Sequence, residues 1–135
     1  MKLTLDTIHQ ITVFEKTTRA KIKDCIEKEG SLIFIVEEGN VQKALGKDQI
    51  HLKKLTYLFK KPIKIIGFQK DPAKFVRNLL YPLKVQEILQ KENRIIITTG
   101  DTKIKGRVFG REKTNLKWMK ELLSKYFKNL EIEVE

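Results

Sequence analysis

The same short design occurs twice in the chain, as Leu45-Gly46-Lys47-Asp48-Gln49 and as Phe109-Gly110-Arg111-Glu112-Lys113. Each copy runs apolar residue, glycine, cation, carboxylate, polar residue. Leu52 and Leu116 follow six positions after the two glycines. The apolar series then continues as Leu55, Leu58 and Phe59 in one copy and Met119, Leu122 and Leu123 in the other. Apolar residues three and four apart behind a glycine describe a helix entered through a turn. A chain that repeats this arrangement reads as two copies of one small unit, each with its own site. Gly46 and Gly110 stand 64 residues apart in a chain of 135, so two such units nearly fill it.

The flanking sequence repeats as well. Thr4 or Asp6 caps a first helix with Leu5, Ile8, Ile11 and Phe14 on one face. Two strand-like runs follow, 20–27 and 31–37, joined at Glu29-Gly30. Leu32-Ile33-Phe34-Ile35-Val36 is apolar on both faces, as a central covered strand must be. Asn40 can cap a short helix to Leu45, a longer helix is expected over 48–60, and Pro62 opens a third strand over 63–68. The second half begins at Asp71-Pro72, a capping side chain followed by proline at the first helical position. That helix ends near Tyr81-Pro82, and strands are expected over 83–89 and 94–99. Asp101 caps the helix leading to Gly110, another helix spans 112–127, and Leu130, Ile132 and Val134 alternate with glutamates in a half-exposed final strand. The joint at 67–72 is too short for a flexible tether, so the two units are expected to pack rigidly, with both turns on one face.

Charge gathers at the same two places. The whole chain carries +11. Between Lys43 and Lys64 seven lysines face Asp48 alone, an excess of +6. Between Lys103 and Lys128 nine cations face Glu112 and Glu121, an excess of +7, so the remainder is two units negative. A merely solvated lysine-rich surface brings glutamates with it. Their scarcity in these segments points to a polyanionic partner.

Other functions find little support. The length suits one domain or two very small ones. No run reaches the roughly 18 apolar residues of a membrane span, and the N-terminus has no signal-peptide core. Cys25 is the only cysteine, which favours an intracellular, cytoplasmic protein and a buried, inert thiol. His9 and His51 have no partner at metal-ligand spacing, and no nucleophile elbow, Walker or dinucleotide fingerprint occurs. No enzyme, cofactor or metal site is expected.

Ala44-Leu45-Gly46-Lys47 with Leu52-Lys53-Lys54-Leu55, and Phe109-Gly110-Arg111-Glu112 with Asn115-Leu116-Lys117, resemble the Gly-x-x-Gly core of the KH fold. The order helix, strand, strand, helix, turn, helix, strand resembles its type II form. Two such units with nothing added are similar to the archaeal NusA-like transcription factors. The resemblance implies an α/β (α+β) protein of two tandem type II KH domains, 1–68 and 69–135, each a three-stranded mixed sheet packed on helices. It implies binding of single-stranded RNA, about four nucleotides per unit, in transcription elongation, termination or antitermination. The implied RNA contacts are Gly46, Lys47, Asp48, Gln49, Lys53 and Lys54, and Gly110, Arg111, Glu112, Lys113, Asn115 and Lys117. RNA polymerase is a further candidate partner, and oligomeric state stays open. Ile35, Leu45, Ile97 and Phe109 are candidates to line an apolar base groove or, alternatively, to fill the core. Because the turns are expected to be exposed, aspartate at Gly46 and Lys47, or at Gly110 and Arg111, should spoil binding and spare the fold. The family's turn closes with a second glycine, where this chain has Gln49 and Lys113. That departure suggests an alternative, a degenerate KH module docking on RNA polymerase or a ribosomal surface.

Overall fold

The structure, a computed structural model, describes residues 4–135. The chain divides into two compact units, Met1–Gln69 and Lys70–Glu135. In the first, Thr4 accepts a hydrogen bond from the Thr7 amide and starts α1 (Leu5–Thr18). The chain leaves α1 through a left-handed Arg19 and enters β1 (Ile22–Lys28) and β2 (Ser31–Val36), an antiparallel pair around Glu29-Gly30. Helices α2 (Val41–Leu45) and α3 (Ile50–Phe59) then cross to β3 (Ile63–Gly67), which lies parallel to β2. A parallel neighbour demands such a crossover, and the glycine turn sits at its midpoint.

The sheet order β1-β2-β3 makes β2 central. All five residues from Leu32 to Val36 are buried, as their two-sided apolarity predicts. Leu32, Phe34 and Val36 join Phe14, Ala20, Ala44 and Leu55 in one core. Phe14 stacks on Phe34 with ring centroids 4.3 Å apart, and Phe59 follows at 5.9 Å. Such pairs contribute about 0.5–1.5 kcal/mol beyond the area they bury.

The second unit repeats the order. Asp71 caps α4 (Pro72–Leu80) through the Ala73 amide at 3.0 Å, with Pro72 in the first turn. Strands β4 (Glu87–Lys91) and β5 (Arg94–Thr98) pair antiparallel, α5 (Thr102–Phe109) and α6 (Thr114–Tyr126) follow, and β6 (Glu131–Val134) runs parallel to β5. Phe75 meets Tyr126 edge-on at 6.5 Å and Phe127 at 6.2 Å. The molecule is therefore α+β, two tandem units of type II KH order, each a three-stranded mixed sheet on helices.

Several boundaries differ from the sequence reading. β4 begins at Glu87 instead of Leu83, because its ladder ends where Glu87 meets Thr98 and β5 offers no further partner. Asn40 precedes α2 without a side-chain cap; its Oδ1 accepts from the Lys21 amide at 3.2 Å and so ties β1 to this corner. Cys25 is half-buried, with Sγ 3.5 Å from Gln10 Oε1. Burial, then Asp24 and Glu27, push its thiol up to about 12, which keeps it protonated and inert.

Candidate nucleic-acid interface

The two turns share one backbone. Gly46 has φ 75° and ψ 170°, and Gly110 has φ 73° and ψ 173°. Side chains essentially never take this conformation, so glycine is required at both places. Next comes a single 3-10 turn, Lys47–Gln49 or Arg111–Lys113. Within it Asp48 and Gln49 are left-handed, at φ 56° and 59°, as are Glu112 and Lys113, at 55° and 60°. Helices α3 and α6 consequently start at Ile50 and Thr114, two residues later than their periodicity suggests.

The hydrogen bonds repeat too. The glycine amides donate to Gln42 O and Gly106 O at 2.9 Å, and the Gln49 and Lys113 amides donate to Gly46 O and Gly110 O at 3.1 Å. Five residues after each glycine, a side chain locks the second helix onto the first. His51 Nδ1 lies 3.0 Å from Lys43 O, and Asn115 Nδ2 donates to Val108 O at 3.0 Å. A carbonyl only accepts, so His51 carries a proton on Nδ1. These locks escaped the sequence reading, although a polar residue at the same offset from both glycines was a usable signal. Asn115, expected to touch RNA, is half-buried in this lock.

The glycines are less replaceable than an exposed turn suggested. Both are half-buried. A Cβ on Gly46 would lie 2.8 Å from His51 Nδ1, and one on Gly110 would lie 2.6 Å from Asn115 Cβ and 2.9 Å from its backbone nitrogen. Aspartate at either glycine would therefore disturb the fold as well as the site.

Around these turns the structure brings together most of the expected residues. Lys47, Asp48, Gln49, Lys53 and Lys54 are exposed in the first unit, and Arg111, Glu112, Lys113 and Lys117 in the second. Among the described residues, none of the six cations in these sets pairs with a carboxylate. Lys113 Nζ lies 5.8 Å from the centre of the Phe109 ring. Asp48 and Glu112 point negative charge outward, so any contribution they make to anion binding comes from their backbone. Helices α1, α4 and α5 begin with a side-chain cap, whereas α2, α3 and α6 do not. The amides that lead into α3 and α6 are already used within the turn, Ile50 N–H on Lys47 O and Thr114 N–H on Arg111 O, so what each start offers an anion is the positive end of the helix dipole. In the first unit an open cavity of about 350 Å³ is lined by Lys47, Asp48, Ile50 and Lys53.

Not every charge counted in the sequence belongs here. Lys61 pairs with Glu27 at 2.8 Å. Lys64 lies half-buried on β3, its pKa lowered by burial and by Lys28. Ile35 and Ile97 are fully buried in central strands and belong to the core, whereas Leu45 and Phe109, beside the glycines, are half-buried. Among the described residues no helix is long and apolar enough to cross a membrane, and no group of His, Cys, Asp or Glu could hold a metal ion.

No known family profile matches the chain. Individual relatives do. The probable transcription termination protein NusA of Thermoplasma acidophilum is 31% identical over 96% of this chain and 92% of its own length. That of Methanocaldococcus jannaschii is 30% identical over 99% of this chain and 75% of its own. That of Halococcus morrhuae is 25% identical over 99% of both. Among solved structures, the crystal structure of APE1850 matches with a TM-score of 0.70 at 26% identity, over 98% of this chain and 100% of that one. Similarity of this extent, running through both units and both turns, places the protein in the archaeal NusA-like family of transcription termination proteins.

Proposed function

We propose that the protein binds single-stranded RNA through its two glycine turns and acts through it on transcription elongation, termination or antitermination. One observation carries the reading: a strained, glycine-dependent turn is built twice to the same backbone angles, each time at an uncapped helix start among unpaired cations. Glycine permits the main-chain path of the turn, the helix start offers the positive end of its dipole, and the cations neutralise phosphates. Gly46, Lys47, Lys53 and Lys54, and Gly110, Arg111, Lys113 and Lys117, carry the contact. Asp48, Gln49 and Glu112 contribute main chain, and Asn115 acts through the turn it holds. RNA polymerase is the protein surface beside which such an RNA would be presented.

A second reading treats the units as degenerate KH modules docking on RNA polymerase or a ribosomal surface. Gln49 and Lys113, standing where the resembled turn has its closing glycine, favour it. One titration separates the two. Fluorescence anisotropy of a labelled twelve-nucleotide RNA at moderate salt should register binding by the parent. Lys47→Glu with Lys53→Glu, and Arg111→Glu with Lys113→Glu, leave both glycines in place. Each pair should weaken binding at least tenfold with an unchanged circular dichroism spectrum. Folded variants that bind as the parent does would overturn the RNA reading.

A further inference from the structure

The outer face of α3 carries a surface that α6 lacks. Ile50 is 60% exposed, Tyr57 76% and Leu58 46%. Ile50, Lys53, Lys54 and Tyr57 follow at intervals of three, one and three, so they share one helical face. The opposite face holds Leu55, which is fully buried in the core. At the matching positions of α6, 64 residues on, stand Thr114, Lys117, Trp118 and Glu121, and the counterpart of Leu58 is Leu122, only 2% exposed. The stripe belongs to the first unit alone.

The geometry points to Tyr57 as a base-stacking platform that extends the RNA path of the first unit along α3, with Lys53 and Lys54 holding the phosphates between it and the turn. This rests on the RNA reading above. Three features support it. The stripe is continuous with the turn, since Ile50 and Lys53 also line the cavity beside Lys47. Tyr57 lies ~10 Å along the helix axis from Ile50, a step beyond the clamp itself. No hydrogen bond or ring contact occupies Tyr57 among the described residues, and the charge between it and the turn is wholly positive. An exposed aromatic ring behind lysines suits a single strand, because every base offers a face to stack on. Lysine is depleted in protein–protein contact surfaces, which makes a protein occupant the weaker fit. In the second unit Glu121 replaces the tyrosine and would repel the same strand.

The test compares a four-nucleotide and a twelve-nucleotide RNA, each carrying 2-aminopurine, by anisotropy and by quenching of the fluorescent base. Tyr57→Ala should weaken the twelve-mer about tenfold, abolish part of the quenching and leave the four-mer unchanged. Tyr57→Trp should restore both signals, and Glu121→Ala should lose neither. A Tyr57→Ala protein that binds the twelve-mer as the parent does would overturn the proposal, while a loss in a Lys47→Glu variant, which keeps both lysines of α3, would leave the turn reading standing. Equal loss for both lengths would place Tyr57 inside the clamp and overturn the extension. Retained RNA binding with lost binding of a synthetic glutamate- and leucine-containing peptide would overturn it too and assign the stripe to a protein. If the parent binds neither RNA, both readings fall together.

Discussion

A left-handed residue other than glycine costs about 1–2 kcal/mol, and each turn contains two in succession, Asp48 with Gln49 and Glu112 with Lys113. Glycine in their place would relieve that cost but lose about 0.5–1 kcal/mol through a freer unfolded chain. Gln49→Gly and Lys113→Gly should each therefore raise stability, by about 0.5–1 kcal/mol net, seen as a later midpoint in urea. Lys113→Gly should at the same time bind RNA less well. Alanine at the leading glycines should do the reverse. Gly110→Ala should destabilise more than Gly46→Ala, since the added Cβ meets backbone at 2.9 Å in one case and the His51 ring, which can rotate away, in the other. The presence of a glycine turn at Gly46 and at Gly110 was legible from the repeat; the dependence of the fold itself on both glycines, through His51 and Asn115, was not. Nor was the left-handed path through Asp48, Gln49, Glu112 and Lys113. Those residue types take helical angles readily, and only the closure of the turn forces them out of that region.

Helices α3 and α6 differ in what they bring to their turns. Arg111 can pair with a phosphate through two parallel N–H groups where Lys47 offers a point charge. Lys113 adds a cation at the helix start, where Gln49 is neutral. Two lysines of the first charged segment, Lys61 and Lys64, are engaged elsewhere or half-buried, which widens the difference. Removing cations singly should lower the salt dependence of RNA binding, by about 0.7 in the log–log slope for each phosphate released. Arg111→Ala should lose more affinity than Lys47→Ala, and Lys113→Ala should show a measurable loss; equal losses at Arg111 and Lys47 with none at Lys113 would contradict the ranking. The elements themselves were readable from apolar spacing and caps. Asp71-Pro72 and Asp101 start helices where expected, with Asp101 Oδ1 accepting from the Ile104 amide at 2.8 Å. Their ends were less readable. The start of β4 is set by the length of β5, and the starts of α3 and α6 by the turn geometry, and neither quantity is local to the residues concerned.

At the scale of the whole molecule, two units repeat one order, α-β-β-α-α-β, with a central strand flanked by one antiparallel and one parallel neighbour in each. That repetition was the most legible feature of the chain, because it needed only the comparison of the sequence with itself. On the proposed RNA reading, with about four nucleotides to each turn, a strand that engages both needs about eight or more. Affinity measured across RNAs of increasing length should therefore rise steeply between those two lengths; a flat profile beyond four nucleotides would mean that the units bind separately. The paired turns carry one more consequence. Their backbone angles coincide although no residue between Lys47 and Gln49 matches its counterpart between Arg111 and Lys113. One main-chain path thus accepts a different side chain of related class at each of its three positions, so the two turns should exchange as cassettes. Exchanging the three residues after one glycine for those after the other moves charge from one half to the other without asking the scaffold to change shape.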